Sequence, residues 1–159
     1  MRQELVQLGG GAHALAIQIL GNPDDAADAV HDSLATALER QHMYDARKGP
    51  LKPWFLRMVR NRCIDLLRKR KPTDDRVDEL PAAGKSPEKA AEDADRDRIL
   101  KSALESLDSD QRQIIVLRDY MDLSYAQIAE VLDIAPGTVM SRLHRSRVAL
   151  GKAYREYDE

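Results

Sequence analysis

Cysteines and long apolar runs are scarce in this chain, and each scarcity excludes a class of protein. The 159 residues include one cysteine, Cys63, which excludes an internal disulfide framework and an all-cysteine metal site. No apolar run approaches the roughly 18–20 residues of a membrane span. The N-terminus also lacks the apolar segment with a basic flank that marks a signal peptide. We therefore expect a soluble protein of a reducing compartment.

A strong net charge is also absent, so bulk charge does not decide whether the partner is a nucleic acid. The chain has 25 Lys+Arg against 27 Asp+Glu, for a formal charge of −2. The charges are nevertheless segregated: residues 47–71 hold ten bases and one acid, residues 136–155 hold five bases and no acid, and residues 22–41 hold five acids and one base. Two separate basic blocks indicate two contacts with a polyanion, although a solvated basic face is the alternative for either block alone.

An acidic, proline-containing segment divides the chain at residues 72–95. With three prolines and little apolar periodicity, it predicts a linker that cannot fold alone. Two modules remain, at 1–71 and 96–159. Neither shows the alternating pattern of a strand, so we predict an all-α fold of two small helical domains joined by a flexible linker.

The first module has the apolar spacing of three helices. They are expected over residues 12–20, from 23 to about 40, and from Trp54 to about 71. The glycines at 9–11 predict that the first helix is short or frayed. Asn22 is expected to cap the second helix. The glycine and prolines of residues 44–53 predict a loop before the third.

The second module is expected to begin with a helix over about 99–107, followed by a helix that Asp108 or Ser109 caps and that runs on through Arg118. It then carries the pattern of a helix-turn-helix over residues 124–143. Ser124 and Gln127 match a capping box, Asp133 lies at a turn where φ is often positive, and Pro136 can open the last helix, which is expected to run to about Tyr154. That helix would expose Arg, Ser and Thr side chains, which can contact phosphates and base edges in the major groove. A small helical bundle with an incidental basic face is the alternative.

No constellation of residues indicates catalysis or metal binding. The histidines have no metal-ligand spacing with one another or with Cys63; they are His13, His31, His42 and His144. No nucleophile–base pair, glycine-rich phosphate loop or pair of catalytic carboxylates is evident. We therefore predict no metal, no cofactor and no enzyme activity.

Two sets of motifs resemble the sigma-70 factors of bacterial RNA polymerase. The runs Leu107–Arg112, Leu123–Ala129 and Gly137–Arg147 resemble their region four. The run Asn22–Ala26 with Asp28, His31 and Asp32, and the run Trp54–Arg57 with Asn61, resemble their region two. The order, the linker and the size are similar to the extracytoplasmic-function group, which has these two domains and little else.

The resemblance implies that region two binds core RNA polymerase through an acidic helix. The matching positions, which would contact the β′ clamp helices, are Asp25, Asp28, His31 and Asp32. Asp28 and Asp32 lie four residues apart, a like-charge spacing that a cationic partner would relieve. The alternative is an ordinary solvated acidic face.

The resemblance further implies contact with the polymerase β flap, action in the bacterial cytoplasm and control by an anti-sigma factor.

The resemblance also implies two contacts with promoter DNA. The expected readers of the single-stranded −10 element are Arg47, Lys48, Lys52, Trp54, Arg57, Arg60, Asn61 and Arg62. The expected readers of the duplex −35 element are Thr138, Met140, Ser141, Arg142, His144, Arg145 and Arg147. For Trp54 we favour core packing over stacking on a base, and Asn61 could instead be a surface asparagine without a role. Met140 stands where relatives often have arginine, so the −35 preference is expected to differ.

The sequence leaves two other functions as alternatives. A free-standing helix-turn-helix regulator would leave the first module unexplained. An adaptor that binds polymerase or another protein without reading DNA would make Asn61 and the basic last helix accidental. The predicted function is a sigma factor that binds core polymerase, recognises promoters and helps to open them.

Overall fold

The computed structural model describes residues 1–70 and 89–158, and in these ranges it contains helices, turns and no strand. The α-helices are α1 (Arg2–Leu20), α2 (Pro23–Glu39), α3 (Leu51–Lys69), α4 (Lys89–Ser106), α5 (Ser109–Ile115), α6 (Tyr125–Leu132) and α7 (Pro136–Asp158). Short 3₁₀ turns follow α2, at Gln41–Met43 and Ala46–Lys48. The all-α prediction is confirmed. Most of the predicted linker lies outside the described residues, and its last part, from Lys89, belongs to α4.

Helix α1 corrects the expectation that the glycine run shortens or frays the first helix. It begins at Arg2 and continues through Gly9, Gly10 and Gly11. Leu5, on the far side of the glycines, is 1% exposed, and Ala12 is fully buried. Tertiary burial of both flanks outweighs the helix penalty of about 1 kcal/mol for each glycine.

Local capping sets where α2 and α3 begin. The Asn22 side chain accepts hydrogen bonds from the amides of Asp24 and Asp25, at 2.8 and 3.1 Å, which confirms the predicted cap. Helix α3 begins at Leu51, whereas the sequence pattern predicted Trp54. Pro53 therefore lies in the first turn of a helix rather than in a loop. Its missing N–H costs nothing there, because the first amides of a helix have no intrahelical acceptor.

The second module has the predicted caps but an irregular middle. Both Asp108 and Ser124 form complete capping boxes, and Asp133 ends α6 in the left-handed conformation, at φ 55° and ψ 51°. The helix expected to reach Arg118 instead ends at Ile115 and continues as a π-helical turn, Val116–Tyr120. Helix α7 opens at Pro136 and runs past the predicted end near Tyr154.

The two modules share one buried core. Its members include Leu15 and Phe55 from the first module and Leu117, Met121 and Ile128 from the second. Helix α1 packs on α5 and the π-helical turn, and α3 packs on α6. Gly11 is a point of close approach: a Cβ placed there would overlap the Cε methyl group of Met121. The glycine in α1 thus makes room for a side chain of the other module.

The glycine run provides a test of this close approach. A Cβ at Gly10 meets nothing within 4 Å, so Gly10→Ala should stabilise the fold by roughly 0.5–1 kcal/mol through helix propensity alone. Gly11→Ala should gain less, because the Met121 methyl group must move. Urea denaturation of the two variants measures the difference. Equal gains would contradict the contact between Gly11 and Met121.

Candidate functional site

The predicted polymerase-binding residues lie along the outer side of α2. Asp28 and His31 are exposed. Asp32 instead forms an ion pair with Arg62 of α3, with Nη2 and Oδ2 3.0 Å apart, and Asp25 pairs with Arg70, which also donates to the carbonyl of Leu20. The cation expected to relieve the repulsion between Asp28 and Asp32 is therefore Arg62 of this chain itself. Asp28 forms no ion pair within the described part of the chain.

The turns before α3 hold two of the predicted −10 residues in solvent. Arg47 is folded against Asp45, 3.2 Å away, yet its side chain is 92% exposed, and Lys48 is also exposed. The Tyr44 hydroxyl donates to the carbonyl of Gly49 at 2.9 Å, which closes the turn. Gly49 has φ 145°, a conformation that favours glycine. The loop is thus a defined turn that presents basic side chains.

Trp54 packs in the core and also borders an open cleft, so the structure is compatible with both roles that the sequence left open, core packing and stacking on a base. Its ring lies 5.3 Å from that of Tyr44 at 47°, and it packs against the shared core while remaining half-buried. It also forms one wall of an open cleft of about 510 Å³ between α2, α3 and α6. Arg57, Asn61 and Arg62 line the same cleft. The cleft thus combines one amide, two guanidinium groups, one aromatic ring and a concave wall. Together these groups can accommodate an unstacked base and its phosphate.

Three predicted −10 cations contact the second module. Lys52 Nζ donates to the carbonyl of Met121 at 2.6 Å. Arg57 Nη2 lies 3.7 Å from Oδ1 of Asp133. Arg60 Nε donates to Oε1 of Gln113 at 2.7 Å. Burial lowers the pKa of Arg60, and the nearby carboxylates of Asp110 and Asp133 act in the opposite direction.

Cys63 lies on the opposite, apolar side of α3. Its side chain is fully buried, and burial raises the pKa of the thiol to about 11. Because the thiolate is the reactive form, this thiol is inert at neutral pH. The residue is part of the core.

The predicted −35 residues share the outer face of α7. Thr138 is half-buried, and its hydroxyl donates to the carbonyl of Ala135 at 2.8 Å at the start of the helix. The others are exposed: Met140, Ser141, Arg142, His144, Arg145 and Arg147. Arg147 forms an ion pair with Asp119 of the π-helical turn. Arg142 and Arg145 border a cleft of about 350 Å³ that Arg60 and Asp110 also line.

Comparison with known proteins identifies both halves of this arrangement. Residues 6–73 match the family "Sigma-70 region 2", and residues 97–150 match "Sigma-70, region 4". The ECF RNA polymerase sigma factor SigW of Bacillus subtilis is 30% identical over 156 residues, which cover 91% of this chain and 83% of SigW. The chain belongs to the extracytoplasmic-function sigma factors of the sigma-70 family. It is therefore an alternative RNA polymerase sigma factor that directs transcription initiation, and the free-standing regulator is not favoured.

Other relatives and solved structures agree with this membership. The ECF sigma factor SigE of Mycolicibacterium smegmatis is 31% identical across 87% of this chain, which spans 55% of SigE. The sigma factor RpoE of Bartonella quintana, solved with the anti-sigma factor NepR, has a TM-score of 0.76 at 28% identity and matches 96% of this chain and 95% of RpoE. CnrH, solved with the cytosolic domain of CnrY, has a TM-score of 0.66 at 23% identity, a likeness of fold.

The range that matches region 2 covers α1–α3 from residue 6, and the range that matches region 4 runs from residue 97 in α4 to residue 150 in α7; we call α1–α3 region 2 and α4–α7 region 4. Sequence reasoning missed the residues of region 4 that meet the basic face of α3, foremost Gln113 and Glu130. Gln113 is a polar residue only 3% exposed, and its amide also donates to the hydroxyl of Ser109 at 3.0 Å. The sequence signal that could have indicated its burial was its position next to the apolar Ile114 and Ile115.

Within the described ranges, none of the helices is long and apolar enough to span a membrane.

Proposed function

We propose that this sigma factor binds core polymerase through the exposed face of α2, reads opened −10 DNA along α3, and reads duplex −35 DNA along α7. The observation that carries the proposal is the outer face of α7. It follows the capped helix α6 and its turn, and it presents the predicted −35 residues other than Thr138 to solvent. A helix so placed can enter the major groove, where arginine contacts guanine and phosphate.

Region 2 would supply the other half of promoter recognition. The 510 Å³ cleft offers Asn61 for a base edge and Trp54 for stacking, and Arg57 and Arg62 for phosphates. Arg47 and Lys48, exposed on the preceding turn, extend the positive surface. The protein would thus bind opened DNA and leave RNA synthesis to the polymerase, without catalytic chemistry or a cofactor of its own, in the cytoplasm.

Partner proteins follow from the same surfaces and from the solved relatives. Asp28 and His31 offer an acidic, solvated patch to the β′ clamp helices, and region 4 would meet the β flap. RpoE and CnrH were solved with protein partners, NepR and CnrY. We extend that to this chain as control by an anti-sigma factor.

In vitro transcription with purified core polymerase tests the proposal as a whole. Addition of this protein should direct initiation to a defined set of start sites, each preceded by shared −10 and −35 sequences. An adaptor would bind core enzyme without changing the start sites. A lone DNA-binding regulator would bind duplex without core enzyme. Either result would overturn the proposal.

The acidic face of α2 should be required for assembly with core enzyme. Asp28→Lys combined with Asp32→Lys replaces attraction to a cationic partner by repulsion of several kcal/mol at the interface. The helix should survive, because both positions are exposed and lysine is a good helix former. Co-purification with core polymerase should be lost. Glu92→Lys with Asp93→Lys, the same charge change on exposed positions of α4, should assemble normally; assembly by the α2 variant would contradict the assignment.

Asn61 should contribute base preference rather than folding. Asn61→Ala should keep the thermal stability and the core binding of the parent, because the side chain is exposed. It should change tolerance of −10 substitutions or slow opening, since an amide that bonds a base edge is lost. Permanganate footprinting of the promoter bubble measures this effect. Gln7→Ala, which removes an exposed amide from α1 outside this cleft, is the control, and an unchanged bubble in the Asn61 variant would remove this role.

Arg142 and Arg145 should anchor α7 on the −35 duplex. Alanine at either should weaken promoter binding by the holoenzyme by roughly 1–3 kcal/mol if a base is read. A contact with phosphate alone would weaken all sequences alike and lower the salt slope by about one unit. Titration of promoter fragments at several salt concentrations separates the two cases. Lys152→Ala, exposed further along the helix, should behave like the parent, and neutral effects at both arginines would refute the assignment.

A further inference from the structure

The start of α7 presents an apolar side chain, rather than a cation, to solvent. The segment 134–140 forms the turn and the first residues of the helix, and its single polar side chain is that of Thr138. Met140, at the end of this segment, is 64% exposed, and Pro136 and Gly137 are exposed as well. In a helix-turn-helix, the N-terminal part of the second helix is the part that contacts base edges in the major groove. The exposed methionine therefore favours a contact with an apolar group of the DNA.

The two hydroxyl groups near Met140 donate their protons to the backbone of this chain. The Thr138 hydroxyl donates to the carbonyl of Ala135 at 2.8 Å, and the Ser141 hydroxyl donates to the carbonyl of Thr138 at 3.1 Å. Each hydroxyl then offers an outside group only its acceptor lone pairs. Guanine presents two acceptors in the major groove, N7 and O6, and is recognised by donors such as arginine. The start of α7 is therefore poorly suited to a guanine.

The arginines of α7 lie away from Met140. Arg142 and Arg145 are two and five positions further along the chain, which places them about 140–160° around the helix axis from Met140. Both border the cleft of about 350 Å³ described above. Arg147, two turns along the face of Met140, is paired with Asp119. Contacts with phosphates position a protein on the duplex, whereas contacts with bases carry the sequence information. The arginines and Met140 are thus placed for different tasks.

We propose that Met140 contacts the 5-methyl group of a thymine in the −35 element, so that this sigma factor selects a T·A pair where the start of α7 meets the major groove. Thymine is the base that presents an apolar group in that groove. A methionine side chain is long, flexible and polarisable, and it packs well on irregular apolar surfaces. The proposal rests on the proposed function of α7 as the −35 reader, and it adds which base one of its side chains selects.

Replacement of single thymines by uracil tests the contact from the side of the DNA. Uracil lacks the 5-methyl group and keeps every hydrogen-bonding group of thymine. The holoenzyme of core polymerase and this protein is titrated with labelled promoter duplexes chosen from the start-site assay. Uracil at one −35 position should weaken binding about three- to fivefold, as expected for the loss of one buried methyl group. If no thymine of the −35 element showed this effect, the proposal would be wrong.

Variants of Met140 test the contact from the side of the protein. Met140→Ala should bind the thymine and uracil duplexes with equal affinity, because the group that contacts the methyl is gone. Met140→Leu should keep the difference, because leucine keeps an apolar contact. Met43→Ala is the matched control: Met43, in region 2, is 66% exposed, and its removal should leave the response to uracil at the parent's level. A response to uracil that persisted in Met140→Ala would assign the methyl contact to another side chain and overturn the proposal.

The same titrations separate a failure of this proposal from a failure of the proposed function. Loss of core binding in Met140→Ala would show that Met140 contacts the polymerase instead, and would overturn the proposal. Weakened promoter binding in Arg142→Ala and Arg145→Ala, with no response to uracil, would keep α7 as the −35 reader and remove only the role of Met140. Neutral effects at both arginines, with no response to any −35 substitution, would show that α7 does not read this DNA.

Discussion

The burial of one side of α3 is the constraint on which the rest of the structure depends. Phe55, Leu56, Val59 and Cys63 are fully buried against α1 and α2. Removing each large apolar side chain from water contributes about 1.5–3 kcal/mol, so this face cannot turn outward. The arginines between these positions must then face away from the region 2 core, and their contacts with region 4 follow from that orientation.

The second constraint concerns the outward side of α3, whose cations are held by polar groups of both α2 and region 4. Arg60 is half-buried between Gln113 and the end of α6, and Arg62 is paired with Asp32 of α2. Apolar burial holds the helix, whereas its polar contacts are individually weak and can be replaced. A sigma factor can use such a division between a permanent face and an exchangeable one.

Region 4 shows the same division on a different helix. Val139 and Leu143 are buried and hold α7 against α5 and α6, while Met140, Arg142 and Arg145 are exposed. The left-handed Asp133 sets the angle between α6 and α7. The same residue also faces Arg57, so the turn that shapes the helix-turn-helix is part of the contact between the two regions.

Local features were determined by the sequence alone, because each depends on residues within about four positions of one another. The Asn22 cap, the capping box at Ser124 and the left-handed Asp133 all follow from side chains that bond or tolerate their own backbone. The family motifs, and with them the assignment as a sigma factor, are equally local. The candidate site residues stay a prediction, although the structure places the −35 set on one face of α7. Tertiary structure alone decided that α1 continues through its glycines, because that depends on burial of Leu5 and on Met121 from region 4. It also decided that Arg60 meets Gln113, 53 positions away, because no local pattern encodes which distant surfaces the folded core brings together.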